Sequence, residues 1–154
     1  PGSQTFSVNP WLQLAAGIVG SLGFSLLFNV RIPKRLIWCA VGGGVAWGVV
    51  LLVQHFGGTE IVGYLAGALI LTVYSEILAR IQFCPSTVFI ATATIPLIPG
   101  GSLYNTMRFA MDEEWSSFAA QGLRTLGYAI LISAGILIIH TIMNAYRAWK
   151  TNLL

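Results

Sequence analysis

The chain has 154 residues, of which 56% are hydrophobic and only 8% are charged. Soluble domains carry about 25% charged residues, so this composition excludes an ordinary water-soluble enzyme and indicates a chain that lies mostly in a membrane. A formal net charge of +3 would favour nucleic-acid binding in a soluble protein, but in a membrane protein the basic residues first report on topology. No nucleic-acid partner is expected.

Five apolar stretches approach the length of about 20 residues that a helix needs to cross about 30 Å of hydrocarbon. They predict an all-α integral membrane protein with a single transmembrane domain over residues 8–150. The predicted spans lie at about residues 11–28, 36–53, 61–79, 87–107 and 118–146. Small residues recur four positions apart, a spacing that lets helices pack closely in lipid. These pairs are Ala16 and Gly20, Gly44 and Gly48, and Gly63 and Gly67.

Basic residues cluster on one side of the predicted bundle. That side receives Arg31, Lys34, Arg35, Arg80, Arg147 and Lys150. The other side receives Arg108 and, depending on where the fifth span begins, Arg124. The positive-inside rule then predicts the N-terminus outside and the C-terminus in the cytoplasm. Tryptophan favours the headgroup level, and the four tryptophans at the predicted boundaries agree with this orientation. They are Trp11 and Trp115 outside, and Trp38 and Trp149 inside.

The fourth predicted span is broken near its middle by a Pro-x-x-Pro-Gly-Gly segment. Pro96 and Pro99 remove two backbone donors and disfavour helix at Ile95 and Ile98. Non-helical backbone at this depth persists only when it is buried in protein or lines a wet cavity. A second half-helix that begins near Ser102 would present unpaired N–H groups and a positive dipole end, which suit a carboxylate. The alternative is a proline kink that serves packing alone.

A substrate site is predicted at this break, because discontinuous helices form the midplane sites of several secondary transporters. Glycines leave the backbone accessible, and hydroxyl and amide side chains offer donors and acceptors. The candidate residues are Pro96, Pro99, Gly100, Gly101, Ser102, Tyr104 and Asn105.

Candidates for coupling or gating are Glu76, Arg124 and Asn29, the last at the end of the first span. Glu76 lies within the third span, where charge is costly and often functional, although Arg80 four residues on offers an interfacial helix pair. Arg124 either binds a substrate carboxylate or extends to the outer interface. His140 has a usable titration range, but a bond to a neighbouring backbone carbonyl explains it equally well, and it is not selected.

Catalytic and metal-binding patterns are missing from the sequence. Cys39 and Cys84 show no CxxC or Cys/His spacing, so neither a disulfide nor a metal site is predicted. No Ser/His/Asp, HExxH or Walker-type pattern occurs, and neither enzymatic activity nor a cofactor is expected. The opening Pro1-Gly2-Ser3 lacks a methionine and no basic segment precedes the first apolar stretch. Residues 1–7 are interpreted as a short tail or cloning scar and not as a cleaved secretory signal.

Two segments resemble the C-terminal half of the threonine/serine exporter family. The first is Gly23-Phe24-Ser25-Leu26-Leu27-Phe28-Asn29-Val30, followed by a short basic turn. The second leads from Pro85-Ser86-Thr87-Val88-Phe89 to Ile95-Pro96-Leu97-Ile98-Pro99-Gly100-Gly101 and Tyr104. The resemblance covers most of the chain, from about residue 17 to residue 142.

In this family the two halves are fused in one polypeptide or encoded as two small membrane proteins that work together. The resemblance implies export of threonine and serine, or of a small dicarboxylate such as succinate, across the bacterial plasma (inner) membrane with a complementary N-terminal-type subunit. An odd number of spans also allows pairing with a unit of opposite orientation, as in inverted repeats. Two alternatives remain: a homo-oligomeric pore, and a structural subunit whose partner carries the substrate site.

Overall fold

The computed structural model describes residues 9–151, except the side chains of residues 147, 150 and 151. The interpretation of residues 1–7 falls outside this range. Within it the chain forms six α-helices and one 3₁₀ turn, without strands. The helices are Pro10–Leu27 (α1), Pro33–His55 (α2), Glu60–Ile81 (α3), Ser86–Ala93 (α4), Gly100–Met111 (α5) and Trp115–Thr151 (α6), and the 3₁₀ turn is Ile95–Leu97.

Four of these helices, α1, α2, α3 and α6, are long and apolar enough to cross a membrane. The segment from Ser86 to Met111 passes the same test as a pair of half-helices that are bent by 50°. With that pair counted as one span, the described part of the chain has up to five spans. The predicted all-α membrane fold is therefore confirmed.

Helix starts and turns follow from local sequence. Asn9 caps α1 by accepting from the backbone N of Trp11 at 3.3 Å, and Thr59 caps α3 in the same manner. Pro33 occupies the first turn of α2, where its missing N–H costs nothing. After α1, Asn29 adopts a left-handed φ of 60°, a conformation that asparagine tolerates and that ends helices.

The helix ends define two ends of the bundle with opposite charge. The basic end carries Arg31, Lys34, Arg35 and Arg80, where α1 and α3 end and where α2 and α4 begin. The acidic end carries Glu60, Asp112, Glu113 and Glu114, at the start of α3 and in the α5–α6 turn.

Small residues allow α1 and α2 to pack closely. A Cβ placed on Gly43 of α2 would overlap the Ser21 hydroxyl and lie 3.1 Å from the carbonyl oxygen of Gly17. Gly20 of the predicted Ala16 and Gly20 pair does not take part in this contact, because a Cβ on Gly20 would meet no described atom within 4 Å. The contact lies one position further along the helix, where Gly17 and Ser21 are buried.

The core lies where α2, α3, α4 and α6 meet, and the 3₁₀ turn is part of it. Its buried members are Ala46, Val50, Ala68, Leu71, Ala93, Leu97 and Ile132. The Leu97 side chain is fully buried and approaches the position of Gly67 on α3. The 3₁₀ turn thus packs into the bundle through Leu97, as interrupted helix at membrane depth requires.

α6 is longer than a membrane needs. Its 37 residues extend over about 55 Å at about 1.5 Å per residue. It runs parallel to α3, since Tyr128 contacts Glu60 at the start of α3 and His140 contacts Glu76 further along. The turns of α6 before Tyr128 therefore extend past the start of α3, and α5 packs against this extension.

Candidate functional site

The break between α4 and α5 is the centre of the candidate site. Pro96 and Pro99 have no N–H and cannot continue the α-helical hydrogen bonding. The chain makes one 3₁₀ turn there, and the half-helices on either side meet at 50°. The first helical bond of α5 runs from the backbone N of Leu103 to the oxygen of Pro99 at 2.9 Å. The N–H groups of Gly101 and Ser102 lie ahead of that bond, at the positive end of the helix dipole.

Gly100 and Gly101 are exposed, and their surroundings do not require glycine. A Cβ at either position would meet no described atom within 4 Å, and neither residue has a positive φ. Glycine destabilises a helix relative to alanine, so these two residues bring a cost without a packing benefit within the described part of the chain. Glycine at such a position leaves the backbone accessible to a ligand or to another chain.

The remaining predicted residues of α5 divide between two faces. Ser102 faces α6, where its Oγ lies 2.6 Å from Oγ1 of Thr125 and accepts from Nε2 of Gln121 at 3.0 Å. Tyr104 is 70% exposed and Asn105 is also exposed. Residues four apart share a helix face, so Tyr104 and Asn105 lie on the same open face as the two glycines.

A cavity of about 310 Å³ adjoins the break where α1 and α2 meet it. Its lining consists of Gln13, Ala16, Gly17, Trp47 and Pro96. The indole N–H of Trp47 is buried and has no hydrogen-bond partner among the described residues. Buried donors without partners are rare in folded proteins, so this N–H is available to an acceptor on a ligand.

A second polar site lies between α3 and α6 near the basic end. Glu76 is completely buried, and its Oε1 lies 2.9 Å from Nδ1 of His140. The other ring nitrogen, Nε2, lies 3.1 Å from Nδ2 of Asn144. His140 and Asn144 also line a cavity of about 860 Å³ together with Arg80 and Ser86. A buried carboxylate within a membrane span is costly and is a functional candidate for that reason.

His140 is the partner that sequence patterns did not select. Glu76 and His140 lie in spans that run in the same direction, and each is within about two helical turns of the predicted inner end. Ionisable residues inside a membrane usually face the bundle interior and pair with one another. The similar depth of Glu76 and His140 in two parallel spans was therefore the sequence feature that could have predicted their contact.

The sequence matches the family described as Threonine/Serine exporter, ThrE, over residues 13–142. This range includes α2 to α5 in full and extends to both Glu76 and His140. The chain belongs to the threonine/serine exporter family. The family that the two sequence segments predict is thus confirmed, and its members are membrane exporters. No solved structure matches the chain.

In this exporter, Arg124 lies at the acidic end and is exposed. It lines a cavity of about 630 Å³ together with Glu60 and Tyr128. The Tyr128 hydroxyl donates to Oε2 of Glu60 at 2.7 Å. Arg124 therefore lines a surface cavity at the start of α3, and the next residue, Thr125, contacts Ser102 of α5.

Asn29 lies in the exposed turn between α1 and α2. Its Oδ1 accepts from Nε of Arg31 at 2.7 Å, and its left-handed φ ends α1. The three coupling or gating candidates therefore lie at separate places: a turn, a surface cavity and, for Glu76, a buried pair. Their roles in transport stay predictions.

Proposed function

We propose that this chain is one membrane subunit of an exporter of threonine and serine and that the broken fourth span forms part of the substrate site. The observation that carries the proposal is the 50° break, which places a helix N-terminus beside two surface glycines. Backbone N–H groups and the positive dipole end at such a terminus bind carboxylates. Gly100 and Gly101 leave that terminus open to a ligand.

The chemistry of the open α5 face suits a small hydroxy amino acid. Tyr104 and Asn105 bring a phenol hydroxyl and an amide to the face that holds the glycines. The unpartnered indole N–H of Trp47 offers another donor on the α1 side of Pro96. The same carboxylate contacts would accept a dicarboxylate such as succinate. The open space beside the two glycines does not select between a hydroxy amino acid and a dicarboxylate.

A second subunit is proposed because the α5 face is open in the single chain. A charged metabolite needs a path lined by protein, since hydrocarbon does not solvate it. α6 covers only the side of α5 that carries Ser102. We place a complementary, N-terminal-type subunit of opposite orientation against the open side, in the manner of inverted-repeat transporters. The proposed location is the bacterial plasma membrane, with the basic end in the cytoplasm.

The test is threonine counterflow in proteoliposomes that contain the chain together with its complementary subunit. Gly100→Leu is expected to abolish counterflow, because leucine fills the approach to the helix N-terminus. The variant is expected to fold, since a Cβ at Gly100 meets no described atom within 4 Å. Gly20→Leu is the matched control on α1, where the surroundings are equally open, and it is expected to keep counterflow.

Smaller substitutions and a substrate analogue test the same site in finer steps. Gly101→Ala is expected to weaken transport, and Tyr104→Phe to cost about 1–3 kcal/mol of substrate binding through one lost hydrogen bond in the closed site. Threonine amide lacks the carboxylate and is expected not to compete. Wild-type counterflow by a membrane-inserted Gly100→Leu variant, or equal competition by the amide, would show that the break serves packing alone.

A further inference from the structure

We infer that the cavity between α3 and α6 at the acidic end binds the zwitterionic form of an α-amino acid, with Glu60 on its ammonium group and Arg124 on its carboxylate. This site is separate from the break, and it distinguishes an amino acid from a dicarboxylate, which the α5 face does not. Its use as a second position on the export path rests on the proposed function.

The cavity is built from one face of α6 and the first residue of α3. α6 contributes Arg124, Gly127 and Tyr128 to its wall, and α3 contributes Glu60. Positions three and four apart share a helix face, so the three α6 residues lie on the same side of that helix. The volume of about 630 Å³ falls within the range of small-molecule sites, which is about 300–1,000 Å³.

Two opposite charges line this cavity without pairing with each other. The ion pairs among the described residues lie elsewhere, between Arg108 and Asp112 and between His140 and Glu76. An α-amino acid carries its ammonium group and its carboxylate on one carbon atom, so it complements a carboxylate and a guanidinium that are close but separate. A dicarboxylate would bring a second negative charge toward Glu60, which like-charge repulsion opposes.

Tyr128 holds the Glu60 carboxylate in place while leaving it open to a ligand. The Tyr128 side chain is buried, and its hydroxyl donates to Oε2 of Glu60 at 2.7 Å. An ionised carboxylate offers about four acceptor positions, so Glu60 is still able to accept from an ammonium group. Glu60 is also the first residue of α3, where the helix dipole favours a negative charge.

The α6 side of the cavity suits a carboxylate. Arg124 is exposed, and a guanidinium binds a carboxylate through two parallel hydrogen bonds. A Cβ at Gly127 would meet no described atom within 4 Å. The wall is therefore open at Gly127, between the two side chains that hold the charges.

A row of aromatic rings connects this cavity with the break. The ring centroids of Tyr128 and Tyr64 are 4.9 Å apart, and those of Tyr64 and Trp47 are 6.5 Å apart. Trp47 in turn lines the cavity beside Pro96. Three neighbouring rings thus separate the two cavities, and the two ligand positions follow one another on the export path.

Protection of a cysteine tests the site in the purified exporter in lipid nanodiscs, where reagents reach both ends of the bundle. Leu123 lines the cavity and is 71% exposed. Leu123→Cys, in an exporter otherwise free of cysteine, therefore reports whether the cavity is occupied. L-Threonine is expected to slow its reaction with a hydrophilic thiol reagent. Threonine amide, N-acetylthreonine and succinate are expected not to slow it, because each lacks either the carboxylate or the ammonium group.

Variants of the cavity wall identify the groups that bind. Glu60→Gln and Arg124→Gln are each expected to raise the threonine concentration for half protection by about tenfold or more, because a hydrogen bond to a charged group is lost. Gly127→Leu fills the cavity and is expected to abolish protection. Glu113→Gln is the matched control, since it removes an acidic residue at the same end but outside the cavity wall, and protection should persist in it.

Gly100→Leu separates this site from the break. Threonine should still protect Leu123→Cys in this variant although counterflow is lost, and loss of protection would overturn a separate site. Equal protection by succinate, or unchanged protection in both Glu60→Gln and Arg124→Gln, would overturn the amino-acid site.

The same assay distinguishes an amino acid from a zwitterionic lipid headgroup. Labelling that is slowed by phosphatidylethanolamine in the nanodisc and not by threonine would overturn the proposal in favour of a lipid. Absence of threonine counterflow in the wild type, with protection intact, would instead contradict the proposed function and leave this site standing.

Discussion

Gly43 shows how one residue sets the distance between two helices. A Cβ at this position would overlap the hydroxyl of the fully buried Ser21 and approach the backbone oxygen of Gly17 at 3.1 Å. The Gly17 oxygen is backbone and cannot rotate away. Any larger residue must therefore push α1 from α2, next to the cavity that adjoins the break.

We predict that Gly43→Ala lowers the free energy of unfolding by about 1–3 kcal/mol, as overpacking of a tight contact does. Gly20→Ala, on α1, adds the same methyl group where no described atom lies within 4 Å. It should be neutral or slightly stabilising, because alanine is the better helix former. Reversible unfolding in mixed detergent micelles measures both variants. Equal stability of the two would contradict the close contact.

At the scale of a secondary-structure element, α5 turns hydroxyl side chains toward α6, while its exposed side carries both apolar residues and the polar Tyr104 and Asn105. Ser102 and Thr106 face α6, and Thr106 donates to the carbonyl oxygen of Ser102 at 2.8 Å. Leu103 and Met107 are exposed, at 47% and 71%. In lipid, helices join through packing and hydrogen bonds and not through hydrophobic burial. The polar seam with α6 is therefore what holds the half-helix of the candidate site in place.

Thr125→Val tests this seam. Valine keeps the shape of threonine but removes the hydroxyl that lies 2.6 Å from Oγ of Ser102. We expect a loss of about 0.5–1.5 kcal/mol of unfolding free energy, the usual value of an interhelical hydrogen bond in a membrane protein. Thr141→Val is the control, because Thr141 lies exposed on the same helix. If thermal unfolding of both variants coincides, the seam does not contribute to stability.

For the whole molecule, the separation of basic and acidic ends predicts which side faces the cytoplasm. Lys34 and Glu113 are both exposed, at opposite ends of the bundle. The positive-inside rule puts Lys34 in the cytoplasm. The cavity beside His140 then opens to the cytoplasm, and the α5–α6 turn lies outside.

Single cysteines measure this orientation in a chain whose Cys39 and Cys84 have been replaced. Glu113→Cys should react with a membrane-impermeant thiol reagent added to intact cells. Lys34→Cys should react only after the membrane is opened. The reverse labelling pattern would contradict the orientation and would place the cavity beside His140 on the outside.

Much of the architecture follows from local properties of the sequence. The number of spans follows from the length of each apolar segment compared with the thickness of the bilayer. The end of α4 follows from prolines, which have no backbone N–H to continue the helix. These properties need no knowledge of neighbouring helices. The predicted Pro96 and Gly100 accordingly fall at the 3₁₀ turn and at the start of α5. The family, too, was identifiable from two continuous segments.

The contacts between helices were decided only by the tertiary structure. Glu76 and His140 are 64 positions apart, and nothing local connects them. The open side of α5 and the unpartnered N–H of Trp47 likewise depend on how each helix is rotated about its axis. Sequence reveals that rotation when one face of a helix is polar. Helices that are apolar on all faces lack this signal, because lipid and the protein interior are equally apolar. The rotation of such a helix about its axis is then selected only by packing and by a few polar contacts.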